Sequence, residues 1–337
     1  MKSSDSPSTK IFEFDILRAL AITMLMFHHS EVYGYKVFDT TLEIISPYIE
    51  AILLGIFFFI AGYFVQRYFQ KHHQGSVSFL FSRMLRIIPP YWLALSLYML
   101  ILGFSLRKRD LAIYLLGSHF IFAPNFVKPI ITIWYVGAIV LFYVIFGVLL
   151  ARTSSTKGLL LGSALIFGIA YALHQWVGLI DERFYKYFIV FLIGILFARL
   201  ESFSHWLSRE QLWMKFALAF ISSFIFSLVI GSNSMSPFYI FGVVFFIITW
   251  VVLLFALASG IKSQSVLKLA GVVSYASFFV YLLHRPLWIW LAGIFSVETS
   301  RYLPFFKMIP ASIVVFILSY YLQFGYDRLL AVFRQSK

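Results

Sequence analysis

Apolar stretches about as long as a bilayer core is thick recur ten times along this chain, and nothing constrains its fold more. A hydrocarbon core of roughly 30 Å needs about 20 helical residues to cross. Candidate windows lie near 12–32, 49–66, 87–106, 131–150, 158–175, 186–199, 215–231, 238–259, 269–294 and 305–328. In lipid each segment must satisfy its own backbone polar groups, so a span of this length is a helix. The expectation is an all-α polytopic membrane bundle of about ten transmembrane helices. The stretch 111–123 is too short for an eleventh span and is expected to lie at, or dip into, the outer surface. No connecting loop is long enough for a soluble domain. Residues 1–337 therefore read as a single transmembrane domain with a polar N-terminus over 1–11.

Composition narrows the function classes. The 337 residues are 61% hydrophobic and only 12% charged, against about 25% charged in soluble domains. A formal charge of +13 would suit nucleic acid if the basic residues formed one dense patch. They are instead scattered through short loops, where they set membrane orientation, and no nucleic-acid partner is expected. With the N-terminus inside, sixteen of the 27 Lys and Arg fall in inner segments and nine in outer ones, with Arg18 and Arg285 left inside spans. Both termini are thus expected in the cytoplasm, with membrane lipid around the bundle. The absence of cysteine excludes disulfides, thiolate nucleophiles and cysteine-based metal sites, and no metal is called for. No small-residue cleavage site follows the first apolar run, so it reads as a retained span. The cluster Arg107-Lys108-Arg109-Asp110 fits orientation poorly. It is either an outer-surface site for an anionic acceptor or a solvated loop.

Ionisable groups at bilayer depth are costly and usually functional. Apart from helix ends they number few here: Arg18, His28 and His29 in the first span, His284 and Arg285 in the ninth. On a helix Arg18 and His29 fall only about 20° apart and roughly 16 Å along the axis, on one face, whereas His28 points about 100° away. Counting about 1.5 Å per residue from the inner ends places His29 roughly 25 Å deep, His284 roughly 22 Å and Arg18 about 9 Å. If the first and ninth helices pack together, the two histidines frame one site. A histidine titrates near neutrality and suits proton abstraction, which makes His29 the candidate general base. The alternatives are snorkelling for Arg18 and an interhelical hydrogen bond for His284.

A second signal is Phe81-Ser-Arg83-Met-Leu-Arg86-Ile-Ile-Pro89-Pro90-Tyr91-Trp92, where an inner loop enters the third span. Arg83 and Arg86, three apart, form one doubly cationic surface on a helical turn, suited to phosphate oxygens or to an ordinary inner flank. The two prolines favour a break or a helix start there.

Four features together resemble the acyltransferase 3 family. They are Phe14-Asp15-Ile-Leu-Arg18 with ten residues before His29-Ser30, Gly55 to Tyr63 with its Ala61-Gly62, Arg83-Met-Leu-Arg86-Ile-Ile-Pro89, and Ser274-Tyr275 followed by Tyr281-Leu-Leu-His284-Arg-Pro286. Trp134-Tyr135 fits the family's aromatic entry to the fourth span. Members are ten-span membrane enzymes that take an acyl group, usually acetyl, from acyl-coenzyme A and deliver it to carbohydrates and related acceptors. The resemblance implies Arg18 and His29 as the essential pair and Arg83 and Arg86 as the Arg-x-x-Arg pair. Members often carry Ser-Gly where this chain has Ala61-Gly62.

The reading is a bacterial inner-membrane O-acyltransferase that uses acyl-CoA, with acetyl-CoA as the donor expected, and acts on a carbohydrate or lipid-linked carbohydrate acceptor of an envelope or surface glycan. Arg83 and Arg86 would hold the donor, Arg18 would stabilise it or the developing oxyanion, and His284 would orient acceptor or base. The alternative is a secondary transporter of an anionic solute or lipid-linked sugar. That class often shows inverted repeats and broken helices, and neither is visible in the sequence.

Overall fold

A computed structural model describes residues 11–29, 36–37, 40–71, 75–122, 125–130, 132–200, 203, 205–294 and 303–335. It is a helix bundle whose only strands, among the described residues, are the two-residue pair β1 (Lys36–Val37) and β2 (Thr40–Thr41). The long helices are α1 (Phe12–His28), α2 (Ser46–Lys71), α3 (Ser76–Ile101), α6 (Trp134–Arg152), α7 (Thr156–Val177), α8 (Arg183–Arg199), α9 (Leu212–Val229), α10 (Pro237–Ala258), α11 (Gln264–Ile294) and α12 (Leu303–Gln335). Two short ones, α4 (Lys108–Leu115) and α5 (His119–Phe122), occupy the stretch expected at the surface. Between them Gly117 adopts φ +67°, a left-handed value that suits glycine.

Among the described residues eight helices are long and apolar enough to cross a membrane. The other two expected spans form α1 and α8, of 17 residues each, at the short end of what crosses a bilayer. The third span needs correcting. Its helix runs from Ser76 to Ile101 straight through Pro89 and Pro90, so the Arg83-x-x-Arg86 turn is helical and starts no new element. Proline lacks the N–H that would reach the carbonyl four residues back and so removes a hydrogen bond. For Pro89 that carbonyl is Leu85's, and the Tyr326 hydroxyl of α12 donates to it. A side chain from a neighbouring helix thus restores the missing bond.

Packing is tightest where side chains vanish. A Cβ on Gly62 of α2 would lie 2.1 Å from the carbonyl oxygen of Phe191, and one on Gly194 of α8 would lie 2.2 Å from that of Phe59. The two glycines let α2 and α8 meet backbone to backbone, as small residues do in membranes. Helix α1 buries Phe14, Leu17, Ala21, Ile22, Leu25 and Met26 and packs against α11, α2 and α10. Helix α11 also contacts α3 and α12, while α6 packs on α2 and α3. The periphery is apolar: Leu161, Leu165 and Ile169 of α7, and Phe216, Phe220, Phe224 and Leu228 of α9, are exposed. Each set recurs every four residues, giving an outward apolar stripe of the kind that faces lipid.

Candidate active site

The close pairing of α1 with α11 brings together the groups expected to meet. The His29 and His284 rings stack with centroids 5.2 Å apart and planes 17° from parallel. His29 caps α1, its N–H donating to Leu25 O, and is half-buried, while His284 is fully buried. His28 turns elsewhere, its Nδ1 3.5 Å from the Ser46 hydroxyl, although its ring remains 4.9 Å from that of His29.

Arg18, Arg83 and Arg86 all line one cavity of about 440 Å³, walled by α1, α2, α3, α6, α11 and α12. The Arg18 guanidinium lies 5.1 Å from the Phe64 ring centre. Arg83 is set among Phe79, Tyr143 and Tyr68 at 5.4, 5.7 and 5.9 Å, with its buried Nε making no hydrogen bond. Arg86 is exposed at the rim. Two carboxylates share the walls, and both are engaged. Ser274 Oγ donates to Asp15 Oδ1 at 2.9 Å, which ties α11 to α1. Tyr275 donates to Asp327 Oδ2 at 2.7 Å, which ties α11 to α12. Three cations against two carboxylates leave the cavity suited to an anion.

Neither histidine lines this cavity. Phe57, Tyr135 and Tyr281 are the wall residues nearest the Ser46 end of α2, the Trp134 end of α6 and the Ile294 end of α11. Their rings are continuous, at 6.0 Å between Phe57 and Tyr135 and 5.3 Å between Tyr135 and Tyr281. The Tyr281 hydroxyl donates to the Thr132 carbonyl, and Arg285 donates to Thr132 Oγ1 at 3.0 Å. One turn beyond Tyr281, and past this aromatic ceiling, sits His284. Its Nδ1 donates to Tyr281 O at 2.8 Å and lies 3.1 Å from Val280 O. That assigns the proton to Nδ1 and a lone pair to Nε2, because a carbonyl can only accept. Arg18 and His29, expected on one helix face, thus belong to two regions: Arg18 lines the cavity, and His29 lies past these rings.

The start of α6 is held by Arg183, which forks onto Asp181 at 2.7 and 2.5 Å while lying 4.1 Å from the Trp134 ring centre. His119 of α5 stacks on Tyr114 at 4.5 Å and donates from Nε2 to Ile133 O at 3.2 Å. Burial pulls it down to about 4, so it is neutral at pH 7 and acts as packing. Of the Arg107-Lys108-Arg109 cluster, Arg107 and Arg109 border a separate cleft of about 600 Å³ with Asp110 and Lys128. There Arg109 is tied to Phe126 O at 2.5 Å.

Sequence reasoning missed Tyr143, Tyr326 and Asp327, which wall the cavity. With twenty Tyr in the chain, nothing in the sequence singles these out. The Ala61-Gly62 pair has a packing explanation in the Gly62 approach to α8, and Ala61 stands on the cavity wall without a hydroxyl. No curated protein and no solved structure matches the chain. The family model described as an acyltransferase domain matches residues 11–324. With its apolar spanning helices, the chain is therefore an integral membrane acyltransferase belonging to the acyltransferase 3 family.

Proposed function

We propose that this protein is an O-acyltransferase of a bacterial inner membrane, with both termini in the cytoplasm and a single catalytic domain. It moves an acetyl group from cytoplasmic acetyl-CoA to a sugar hydroxyl of an envelope or surface glycan. The observation that carries the reading is the convergence of Arg18, Arg83 and Arg86 on one cavity, with a stacked histidine pair beyond its aromatic ceiling. Acyl-CoA is a polyanion with a long, thin, uncharged arm. Its phosphates suit Arg83 and Arg86, the latter open to the rim, and its arm suits the tyrosine-lined interior.

In this reading His29 takes the proton from the acceptor hydroxyl as its oxygen bonds to the thioester carbonyl carbon. The carbon–sulfur bond then breaks, and the thiolate leaves with that proton as the free thiol. Arg18 neutralises the charge of the donor from within the cavity that it lines. His284 positions acceptor or base.

The test is coenzyme A release by sealed vesicles containing the full chain and the membranes that carry its acceptor. Inverted vesicles should consume added acetyl-CoA, and right-side-out vesicles should not. Equal use from both faces would reverse or abolish the assigned sidedness. Flux of an anionic solute without thiol release would replace the reading with transport.

A further inference from the structure

Buried polar atoms in folded proteins nearly always have hydrogen-bond partners, so those without one call for an explanation. Two such atoms belong to residues one turn apart on α11, the first of them half of the histidine stack: His284 Nε2 and Trp288 Nε1. Positions i and i+4 on a helix share a face, about 40° apart with roughly 6 Å of rise. The two atoms are chemically opposite. With Nδ1 donating to Tyr281 O at 2.8 Å, the Nε2 of His284 offers a lone pair, whereas an indole Nε1–H can only donate. They complement the two halves of a hydroxyl group, whose hydrogen donates and whose oxygen accepts.

We propose that His284 and Trp288 form a hydroxyl-binding pair that holds an acceptor with neighbouring hydroxyls, one gripped by this pair and the next presented to His29. The inference rests on the acyl-transfer reading above and deepens it by naming the acceptor class as a vicinal diol. The geometry favours it in three ways. His284 is fully buried and locked by its backbone bonds, so the direction of its lone pair is set before any ligand arrives. The His29 ring lies parallel to it with centroids 5.2 Å apart, which places a second nitrogen-bearing ring beside the gripped hydroxyl, where a vicinal oxygen would stand. Finally, Arg285, adjacent in sequence, turns its Nη1 to Thr132, and the two atoms left without partners belong to side chains other than this cation. A neutral polyol is what such a pair selects.

The experiment uses the full chain, as wild type, Trp288→Phe, His284→Gln and His284→Phe, in cells whose envelope glycan it modifies. Ester positions are mapped by NMR of the isolated glycan, and the acetyl-CoA dependence of transfer is measured in inverted vesicles. Trp288→Phe keeps a ring but removes the N–H. It should slow transfer about tenfold, the worth of one good hydrogen bond, with the KM for acetyl-CoA unchanged and esters spread over adjacent sugar positions. His284→Gln, which retains an acceptor oxygen, should keep more activity than His284→Phe. Should the His284 variants fail to accumulate, Trp288→Phe decides alone. A wild-type rate with a single ester position in Trp288→Phe overturns the proposal. So does a fall in rate that merely follows protein abundance or is matched by a raised KM for acetyl-CoA. If the wild type releases no coenzyme A, the acyl-transfer reading fails first and takes this inference with it, whereas an active wild type with indifferent variants removes the inference alone.

Discussion

The arginine cavity and the histidine stack lie on the same helices yet solve opposite problems. The cavity is roomy and charged, and its carboxylates already have partners: Asp15 holds Ser274, and Asp327 holds Tyr275. The histidine pair lies outside that cavity, and its helix keeps hydrogen-bonding capacity in reserve at His284 and Trp288. Satisfied walls around spare positive charge recognise something large and anionic, whereas unsatisfied neutral groups position something small. The Tyr135–Tyr281 contact, at 5.3 Å, places apolar ring surface between the first region and the second. Ring surface of low polarity strengthens electrostatic effects beside it.

The sharpest way to break this contrast is His29→Ala. If the histidine region does the chemistry, transfer should fall by about 10²–10⁴-fold while membrane abundance stays near wild type, as read by thiol release per unit protein. His28→Ala, whose ring is turned towards Ser46, should be much milder. The reverse ranking would mean that the wrong histidine has been assigned. Next in size is the pair Arg83→Gln with Arg86→Gln. Charge-assisted bonds to phosphate contribute roughly 1.5–3 kcal/mol each, so the KM for acetyl-CoA should rise at least tenfold at saturating acceptor, with kcat changed far less. A change in kcat alone would place these arginines in the chemistry and erase the division between compartments.

Two smaller effects test the scaffold that holds the regions apart. Gly62→Ala forces a Cβ to within 2.1 Å of the Phe191 carbonyl oxygen. Overpacking of this kind costs about 1–3 kcal/mol, visible as a lower thermal midpoint in detergent with donor affinity retained in the surviving folded protein. Tyr326→Phe removes the donor that serves the Leu85 carbonyl beneath Pro89. About 1 kcal/mol is expected from one lost hydrogen bond, together with a few-fold rise in the KM for acetyl-CoA, because Arg83 and Arg86 ride on the same turn. Loss of stability with an unmoved KM would show that the turn tolerates the loosening.

The helical character of the bundle, the approximate bounds of its long segments and the similar depth of His29 and His284 were legible in the chain, whereas the packing of α1 on α11 that makes the two rings meet was not. All three follow from local or one-dimensional quantities: apolar length against bilayer thickness, and depth counted at a fixed rise per residue. Reading Pro89 and Pro90 as a break failed because the remedy for their missing donor lies on α12, more than two hundred residues away. The division into two compartments was equally illegible. It depends on which of twenty similar tyrosines meet edge to face between helices, and ring contact across α6 and α11 has no periodic signature in either one. The tautomer of His284 was likewise beyond the sequence, since it is set by the carbonyls its ring reaches in the folded helix. By itself, then, the sequence determined that this is a membrane helix bundle and which rare polar residues it commits to the bilayer, because burial of charge in lipid is too costly to be incidental. Only the tertiary structure decided which of those residues share a space, because that depends on how closely helix faces approach, down to the two glycines that let α2 and α8 touch.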